Sequence, residues 1–186
     1  MDTRTTLLSL AERMMRQRGY DAVSFGDLAN DIGIKTASVH YHFAKKTDLA
    51  VELLQAYATK LSRLRANISA NAPNGGAAIK SLVALYRVAL DDGQQLCLAV
   101  SLSAGRDSLD EPARDVLNEI LGDTLDWLAA TFERAKRDGS MHGITSAQDE
   151  AAACLALLEG AQLLARAAGD LAPYDAATRG FIARIK

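Results

Sequence analysis

Hydrophobic residues recur every three or four positions along most of the chain, as they do on one face of an α-helix. Within residues 3–18, for example, Leu7, Ala11, Met14 and Met15 follow this spacing. Only three prolines are present, and residues with high helix propensity fill the long stretches. We therefore predict an all-α fold.

Glycines and other turn residues divide this pattern into about nine helices. Ser24 with Asp27, and Ser146 with Asp149, have the spacing of a capping box, in which each side chain binds a main-chain amide of the other residue. Thr36 is predicted to cap the third helix. The predicted helices span residues 3–18, 25–32, 36–42, 46–69, 77–91, 94–104, 112–137, 147–168 and 175–185.

The composition is that of an ordinary globular protein, with 49% hydrophobic and 24% charged residues. The apolar stretches are broken by charges, so neither a membrane span nor a targeting segment is predicted. Cys97 and Cys154 are too few for a disulfide framework, and neither they nor the three histidines have the spacing of a metal site. We expect a cytoplasmic protein that needs no membrane, metal or cofactor.

Charge is distributed unevenly, although the whole chain carries a net charge of only −2. Residues 1–47 have a net charge of +2, and the remaining residues have a net charge of −4. A polyanionic partner is therefore expected to bind at the N-terminal end.

Helices 25–32 and 36–42 are joined at Gly33, which is typical of a helix-turn-helix. The second helix of such a motif enters the DNA major groove, where its first turn reaches base edges while flanking residues bind phosphates. Helical spacing places Val39 and Phe43 together on the face toward the core. The residues predicted to contact DNA are Ser24, Lys35, Thr36, Ala37, Ser38, His40, Tyr41, His42 and Lys46.

The same residues also fit a purely structural interpretation. Ser24 and Thr36 could serve only as helix caps, and Tyr41 and Phe43 only as packing residues. Two other classes of protein stay open on these grounds: a helical adaptor that does not bind DNA, and a small all-α enzyme. No residue is proposed as catalytic, because the sequence contains neither a nucleophile elbow nor a glycine-rich loop after a strand.

The order of residues from Gly33 to Phe43, followed by Lys46 and Leu49, resembles the signature of the tetracycline-repressor family of transcriptional regulators. The resemblance extends over residues 5–54. It implies a three-helix DNA-binding headpiece, residues 1–47, whose third helix lies in the major groove and whose Lys46 binds the DNA backbone. The family usually has tyrosine at the position of His40 and often lysine at that of Thr36, so this chain departs from the family at both.

The resemblance also implies that residues 48–186 form a helical regulatory and dimerisation domain. Similar regulators dimerise through their last two helices, here about 147–168 and 175–185, and hold a ligand cavity in the same domain. We expect a homodimer that binds double-stranded operator DNA, usually as a repressor, and that responds to an unidentified small-molecule inducer. The residues expected to line a sensing site are Tyr57, Tyr86, Trp127, Glu159 and Arg166.

Cys97 is a separate candidate for sensing. The segment from Gln95 to Ala104 is similar to the same region of a family member that represses N-ethylmaleimide reductase. That similarity implies that Cys97 reacts with an electrophile or an oxidant, for which a thiolate of lowered pKa is the reactive form. Because Cys97 stands between leucines, the alternative is a small buried core residue. Cys154 is expected to be inert.

Overall fold

The computed structural model describes residues 2–186, and these residues form nine α-helices and one short 3-10 helix, Arg106–Ser108. The all-α prediction is confirmed, since the same residues contain no strand and only one isolated bridge, between Met141 and Ile185. The helices are α1 Thr3–Arg18, α2 Phe25–Asp31, α3 Thr36–His42, α4 Lys46–Asn71, α5 Gly75–Val88, α6 Leu98–Ala104, α7 Glu111–Asp138, α8 Ala147–Ala168 and α9 Ala172–Ile182.

The chain packs into two compact units. One, here called the headpiece unit, contains the residues up to Thr59 together with Leu98–Ile120. The other, the body unit, contains Lys60–Cys97 and Leu121–Lys186. Helices α4 and α7 each have residues in both units. The units are defined by packing, and a functional domain boundary at residue 47 stays a prediction.

The core of the headpiece unit is formed by the apolar faces of its short helices. Leu7 and Met15 of α1, Leu28 of α2, and Val39 and Phe43 at α3 are each at most 2% exposed. The periodicity of α1 and the inward register of α3 are therefore confirmed. Burial of these side chains fixes which face of α3 remains outside.

Two turns and one cap set the helix-turn-helix geometry. Gly19 ends α1 with a φ of +84°, and Gly33 separates α2 from α3 with a φ of +70°, a region that side-chain-bearing residues avoid. The predicted capping box is present, since the Ser24 hydroxyl accepts from the Asp27 amide and the Asp27 carboxylate accepts from the Ser24 amide. The prediction for Thr36 was wrong, because Lys35 is the N-cap residue of α3 and makes no side-chain cap bond.

The body unit has its own core, in which α8 and α9 pack against each other and against α5. Tyr174 of α9 is fully buried, and its hydroxyl donates to the Val83 carbonyl of α5 at 2.8 Å. Arg87 and Asp175 join the same two helices by a bidentate ion pair at 2.6 and 2.8 Å. Apolar packing and these polar bonds together fix the orientation of α9 against α5.

Three helix starts differ from the approximate predicted positions by two to four residues. Helix α5 begins two residues early, at Gly75, because the Asn74 side chain caps it by accepting from the Ala77 amide. Helix α6 begins four residues late, because a turn with positive φ at Asp91 and Asp92 precedes it. Helix α9 begins at Ala172 with Pro173 in its first turn, where a missing amide hydrogen costs nothing.

Helix α8 is long and apolar enough to cross a membrane on length and composition alone. The core helix of a soluble protein meets the same test, and α8 packs Ala151, Cys154 and Leu158 into the body unit.

Candidate nucleic-acid interface

One face of α3 carries the exposed side chains, and the opposite face is buried. Val39 is fully buried, whereas Tyr41 is 87% exposed and protrudes from the same short helix. His42, the last residue of the helix, is half-buried. The predicted DNA-contact residues of α3 that are exposed are Lys35 at its N-cap, Thr36, Ala37, Ser38, His40 and Tyr41.

Aromatic contacts support the second half of this face. The His40 ring meets the edge of Phe25, a buried residue at the start of α2, with 4.9 Å between ring centres. The rings of Tyr41 and His42 make a similar contact at 5.3 Å. His40 therefore contacts α2 and is still exposed to solvent.

Ser24 is exposed, but its polar groups are already used within the chain. Both its amide and its hydroxyl donate to Asp27 Oδ2, at 2.8 and 2.6 Å. These bonds lower the pKa of the Asp27 carboxyl. An ionised carboxylate therefore occupies the N-terminal end of α2, and a phosphate could bind only to the amides that it leaves free.

Lys46 lies at the start of α4 and is half-buried. Its ammonium group donates to the Tyr20 carbonyl oxygen at 2.7 Å and lies 3.9 Å from the centre of the Tyr20 ring. Burial lowers the pKa of the Lys46 ammonium group. The ammonium group has three N–H donors, one of which is used by Tyr20, and the Asp21 and Asp27 carboxylates are near enough to favour its charge.

The structure brings two of the predicted sensing residues together through a third that sequence analysis missed. Gln162 of α8 is fully buried, accepts from the Cys97 amide at 2.8 Å and donates to the Tyr86 carbonyl at 3.5 Å. Cys97 is 6% exposed and immediately precedes α6 in the chain. A polar residue on the buried face of an otherwise apolar helix was the signal that could have identified Gln162.

Burial dominates the electrostatics around Tyr86. It raises the pKa of the Tyr86 hydroxyl well above its ordinary value, and Cys97 and Glu159 raise it further. Glu159 lies half-buried on α8, where desolvation raises the pKa of its carboxyl group. Cys97, Tyr86 and Glu159 therefore form one neighbourhood within the body unit.

The other predicted sensing residues lie on α4, α7 and α8. Trp127 of α7 donates its indole N–H to the Ser69 hydroxyl at 2.9 Å. Arg166 is half-buried in the last turn of α8. Tyr57 is buried but belongs to the headpiece unit. Cys154 is fully buried, and burial raises the pKa of its thiol to about 12, which disfavours the reactive thiolate.

Sequence analysis also missed Arg65, a buried cation in the body unit. Its side chain is 9% exposed, donates to the Thr124 hydroxyl at 2.9 Å and lies 3.8 Å from the Asp123 carboxylate. Arg65 stands four residues after Leu61 and three before Ile68, on the apolar face of α4, and that position could have revealed it. Within residues 2–186 no three His, Cys, Asp or Glu side chains are grouped to hold a metal ion.

Relatives that are named regulators match only part of this chain. A regulator of Shigella flexneri named AcrR is 28% identical over 72 residues, or 39% of this chain. A repressor of Mycobacterium tuberculosis named KstR2 is 39% identical over 54 residues, or 29% of this chain. The matched parts span 34% and 27% of the lengths of those two regulators.

Solved structures match over the whole chain. A TetR-family regulator of Agrobacterium tumefaciens is 26% identical, with a TM-score of 0.93 and coverage of 99% of this chain and 97% of that one. The reduced form of NemR from E. coli is 24% identical, with a TM-score of 0.82 and coverage of 100% and 98%. At 24% identity, the likeness to NemR shows only that the two chains share a fold.

Two family models together account for most of the sequence. The model described as bacterial regulatory proteins, tetR family, matches residues 7–53. The model described as tetracyclin repressor-like, C-terminal domain, matches residues 76–181. The chain therefore belongs to the TetR family of bacterial regulatory proteins.

Proposed function

We propose that this protein is a transcriptional repressor that binds double-stranded operator DNA with the exposed face of α3. The observation that carries the proposal is the division of this helix into two faces. Val39 and Phe43 anchor it in the headpiece core, while Thr36, Ala37 and Ser38 leave its first turn small, polar and uncovered. A first turn of this kind can approach base edges closely.

The proposed contacts divide into base readout and phosphate binding. Ser38 and Thr36 supply hydroxyl groups for hydrogen bonds, and Ala37 supplies a methyl surface that suits the methyl group of thymine. His40, Tyr41 and Lys46 offer polar tips that can reach phosphate oxygens. The modest net charge of +2 over residues 1–47 indicates that phosphate contacts are few in each headpiece.

A homodimer is part of the proposal, because a single small headpiece buries too little groove surface for specific binding. Among residues 2–186, four large apolar side chains are exposed, and two of these, Leu163 and Leu164, are adjacent on α8 at 50% and 57%. On α9 the exposed residues Ala172, Ala176 and Gly180 recur every four positions and make a smooth stripe. A second copy of α8 and α9 could cover both features by two-fold pairing.

The proposed signal acts on the body unit. A ligand bound beside Tyr86 and Glu159, or a group added to the Cys97 thiol, would disturb the bonds of Gln162, which join Cys97 to Tyr86. A packed core accommodates added volume only by moving its helices. Helix α4 contains residues of both units and begins at Lys46. A movement of its residues in the body unit would therefore be passed along the helix to Lys46. Because the proposed partner is operator DNA, we expect the protein to act in the bacterial cytoplasm.

Selection of bound DNA from a random pool tests the proposal. The purified protein should enrich a roughly palindromic sequence, with half-sites about one helical turn apart. Treatment with hydrogen peroxide or iodoacetamide should reduce recovery if the signal acts through a thiol. Failure to enrich any sequence at low salt would reject DNA binding and favour a helical adaptor.

A further inference from the structure

Arg4 contacts three residues, Glu52, His42 and Phe43. The last two lie at the C-terminal end of α3. The Arg4 guanidinium group forms a bidentate ion pair with Glu52 of α4, in which Nε donates to Oε1 at 3.0 Å and NH2 donates to Oε2. Its NH1 donates to the main-chain carbonyl of His42 at 2.9 Å. Its Cζ lies 4.6 Å from the centre of the Phe43 ring. One side chain of α1 therefore contacts α4 and the C-terminal end of α3.

The contact between Arg4 and the His42 carbonyl lies at the C-terminal end of α3. The last four carbonyl groups of a helix have no partner within the helix, and a cation at that end is favoured by the helix dipole. Because α3 has only seven residues, a contact at His42 constrains the direction of the whole helix. Phe43, which follows immediately, is buried beneath the same guanidinium group.

We propose that Arg4 is a positioning residue that fixes the angle between α3 and α4, and that it thereby sets base discrimination without contacting bases. Glu52 orients the guanidinium group, and the guanidinium group holds the carbonyl end of α3. This inference rests on the proposed function, since it assigns Arg4 a part in operator recognition by α3.

The geometry separates this role from that of a surface ion pair. Arg13 and Asp31 also pair within the headpiece unit, at 3.0 Å, and are 58% and 47% exposed, against 43% and 33% for Arg4 and Glu52. What distinguishes Arg4 is its bond to the His42 carbonyl at the end of α3. Such exposed pairs contribute little to stability. Arg13→Met is therefore a matched control for Arg4→Met, since both remove one ion pair of the same unit.

The first measurement compares the affinity of the full-length protein for its selected operator and for a scrambled duplex. Arg4→Met should weaken operator binding by about ten- to hundredfold, the loss expected for one or two misread base pairs. Binding to scrambled DNA and its salt dependence should stay near those of the parent protein, as should both affinities of Arg13→Met. Equal weakening on both duplexes, with a salt slope reduced by about one, would instead make Arg4 a phosphate ligand and overturn the inference.

The second measurement uses the exchanged pair Arg4→Glu with Glu52→Arg. The exchange restores an ion pair between α1 and α4, but a carboxylate at position 4 cannot donate to the His42 carbonyl. The melting temperature should recover relative to Arg4→Glu alone, whereas operator affinity should not. Recovery of both would show that Arg4 is only one half of an ion pair. A parent protein that binds no DNA would refute the proposed function itself, while a parent that binds as Arg4→Met does would refute only this inference.

Discussion

The Lys46 ammonium group is bonded to the Tyr20 carbonyl oxygen at 2.7 Å and lies over the Tyr20 ring. Tyr20 follows α1 and Lys46 begins α4, so this contact joins the two ends of the segment that contains α2 and α3. Lys46 therefore combines a structural bond with the phosphate contact that we propose for it. Loss of the bond should lower stability, and loss of the phosphate contact should weaken DNA binding.

Lys46→Ala should show both effects, and each is measured separately. We expect affinity to fall equally for operator and scrambled DNA, with a salt slope smaller by about one, because a phosphate contact carries no sequence information. The melting temperature should also fall, by the equivalent of roughly 1 kcal/mol for the lost hydrogen bond. Binding assays over a range of salt concentrations and thermal melts measure the two effects.

Lys45→Ala is the control for Lys46→Ala, because Lys45 is adjacent but exposed. It should leave the melting temperature unchanged. A salt slope for Lys46→Ala that equals that of the parent would remove the phosphate contact from our proposal and leave Lys46 a purely structural residue.

Substitutions in α3 should fall into two classes according to the face that they alter. Val39→Ala should destabilise the protein by roughly 1 to 3 kcal/mol, since it trims a fully buried side chain. Tyr41→Ala removes a side chain that is 87% exposed and should leave the melting temperature unchanged. Thermal melts compare the two variants, and similar melts would show that the inward face of α3 is not as described.

Sequence preference should respond to the opposite face of the same helix. Ala37→Ser and Ser38→Ala should change which bases are selected from a random pool, while protein stability stays close to that of the parent. Selection profiles identical to the parent profile would place base readout elsewhere.

Local chemistry explains why most of the fold could be predicted from the sequence. Gly19, Gly33 and the Ser24–Asp27 capping box act within a few residues, so their effect is visible in the sequence. Helix starts differ from the predicted positions where one residue type can serve two purposes. The last helix was predicted to begin at residue 175, after Pro173, although proline also suits the first turn of a helix.

The candidate sites depended on contacts that periodicity does not encode. Arg4 and Glu52 are 48 positions apart, and Cys97 and Gln162 are 65 apart. Each pair meets only because helices distant in the chain pack together, and a single sequence carries no signal for the partner. The exposed residues of α3 were predictable, because helical geometry turns them away from the face that carries Val39 and Phe43.

Dimerisation should depend on the exposed apolar residues of α8. The double substitution Leu163→Glu and Leu164→Glu should yield a monomer at micromolar concentration, because two charges would have to be buried without partners. Val88→Glu is the control, since Val88 is 76% exposed on α5, another helix of the body unit. Sedimentation measures the outcome. A parent that is itself monomeric, free and on DNA, would contradict the homodimer.

Glu159 should make stability depend on pH. Desolvation raises the pKa of its carboxyl in the folded protein above the ordinary value of 4.5, so the unfolded chain releases this proton at lower pH than the folded protein does. The folded state therefore loses stability as pH rises from about 4.5 through the folded pKa, and the loss is complete above that pKa. Glu159→Gln should be more stable than the parent at pH 7 and similar near pH 4.

Thermal melts at several pH values test this behaviour of Glu159. Glu133→Gln is the control, since Glu133 is exposed on α7 and should leave the melting curve unchanged across the range. If the difference between Glu159→Gln and the parent does not change with pH, the buried carboxylate is not the source of the effect.

Modification of Cys97 by a thiol reagent should release the operator. The Cys97 amide is held by the fully buried Gln162, and its neighbour Leu98 is also fully buried. Because the Cys97 thiol is buried, attachment of a carboxamidomethyl group to it should break the bonds of Gln162 or displace the start of α6. Both thiols are buried, and reaction therefore requires local opening of the protein.

The test of Cys97 measures operator affinity before and after treatment with iodoacetamide or hydrogen peroxide. The parent and Cys154→Ser should both lose affinity, while Cys97→Ser should keep it, because the Cys154 thiol, with a pKa of about 12, provides almost no thiolate at neutral pH. Cys97→Ser alters only the side chain and retains the amide that binds Gln162, so its binding to untreated operator should match that of the parent. If Cys97→Ser releases the operator as readily as the parent does under the same reagents, Cys97 is a core residue and the signal is a ligand bound elsewhere in the body unit.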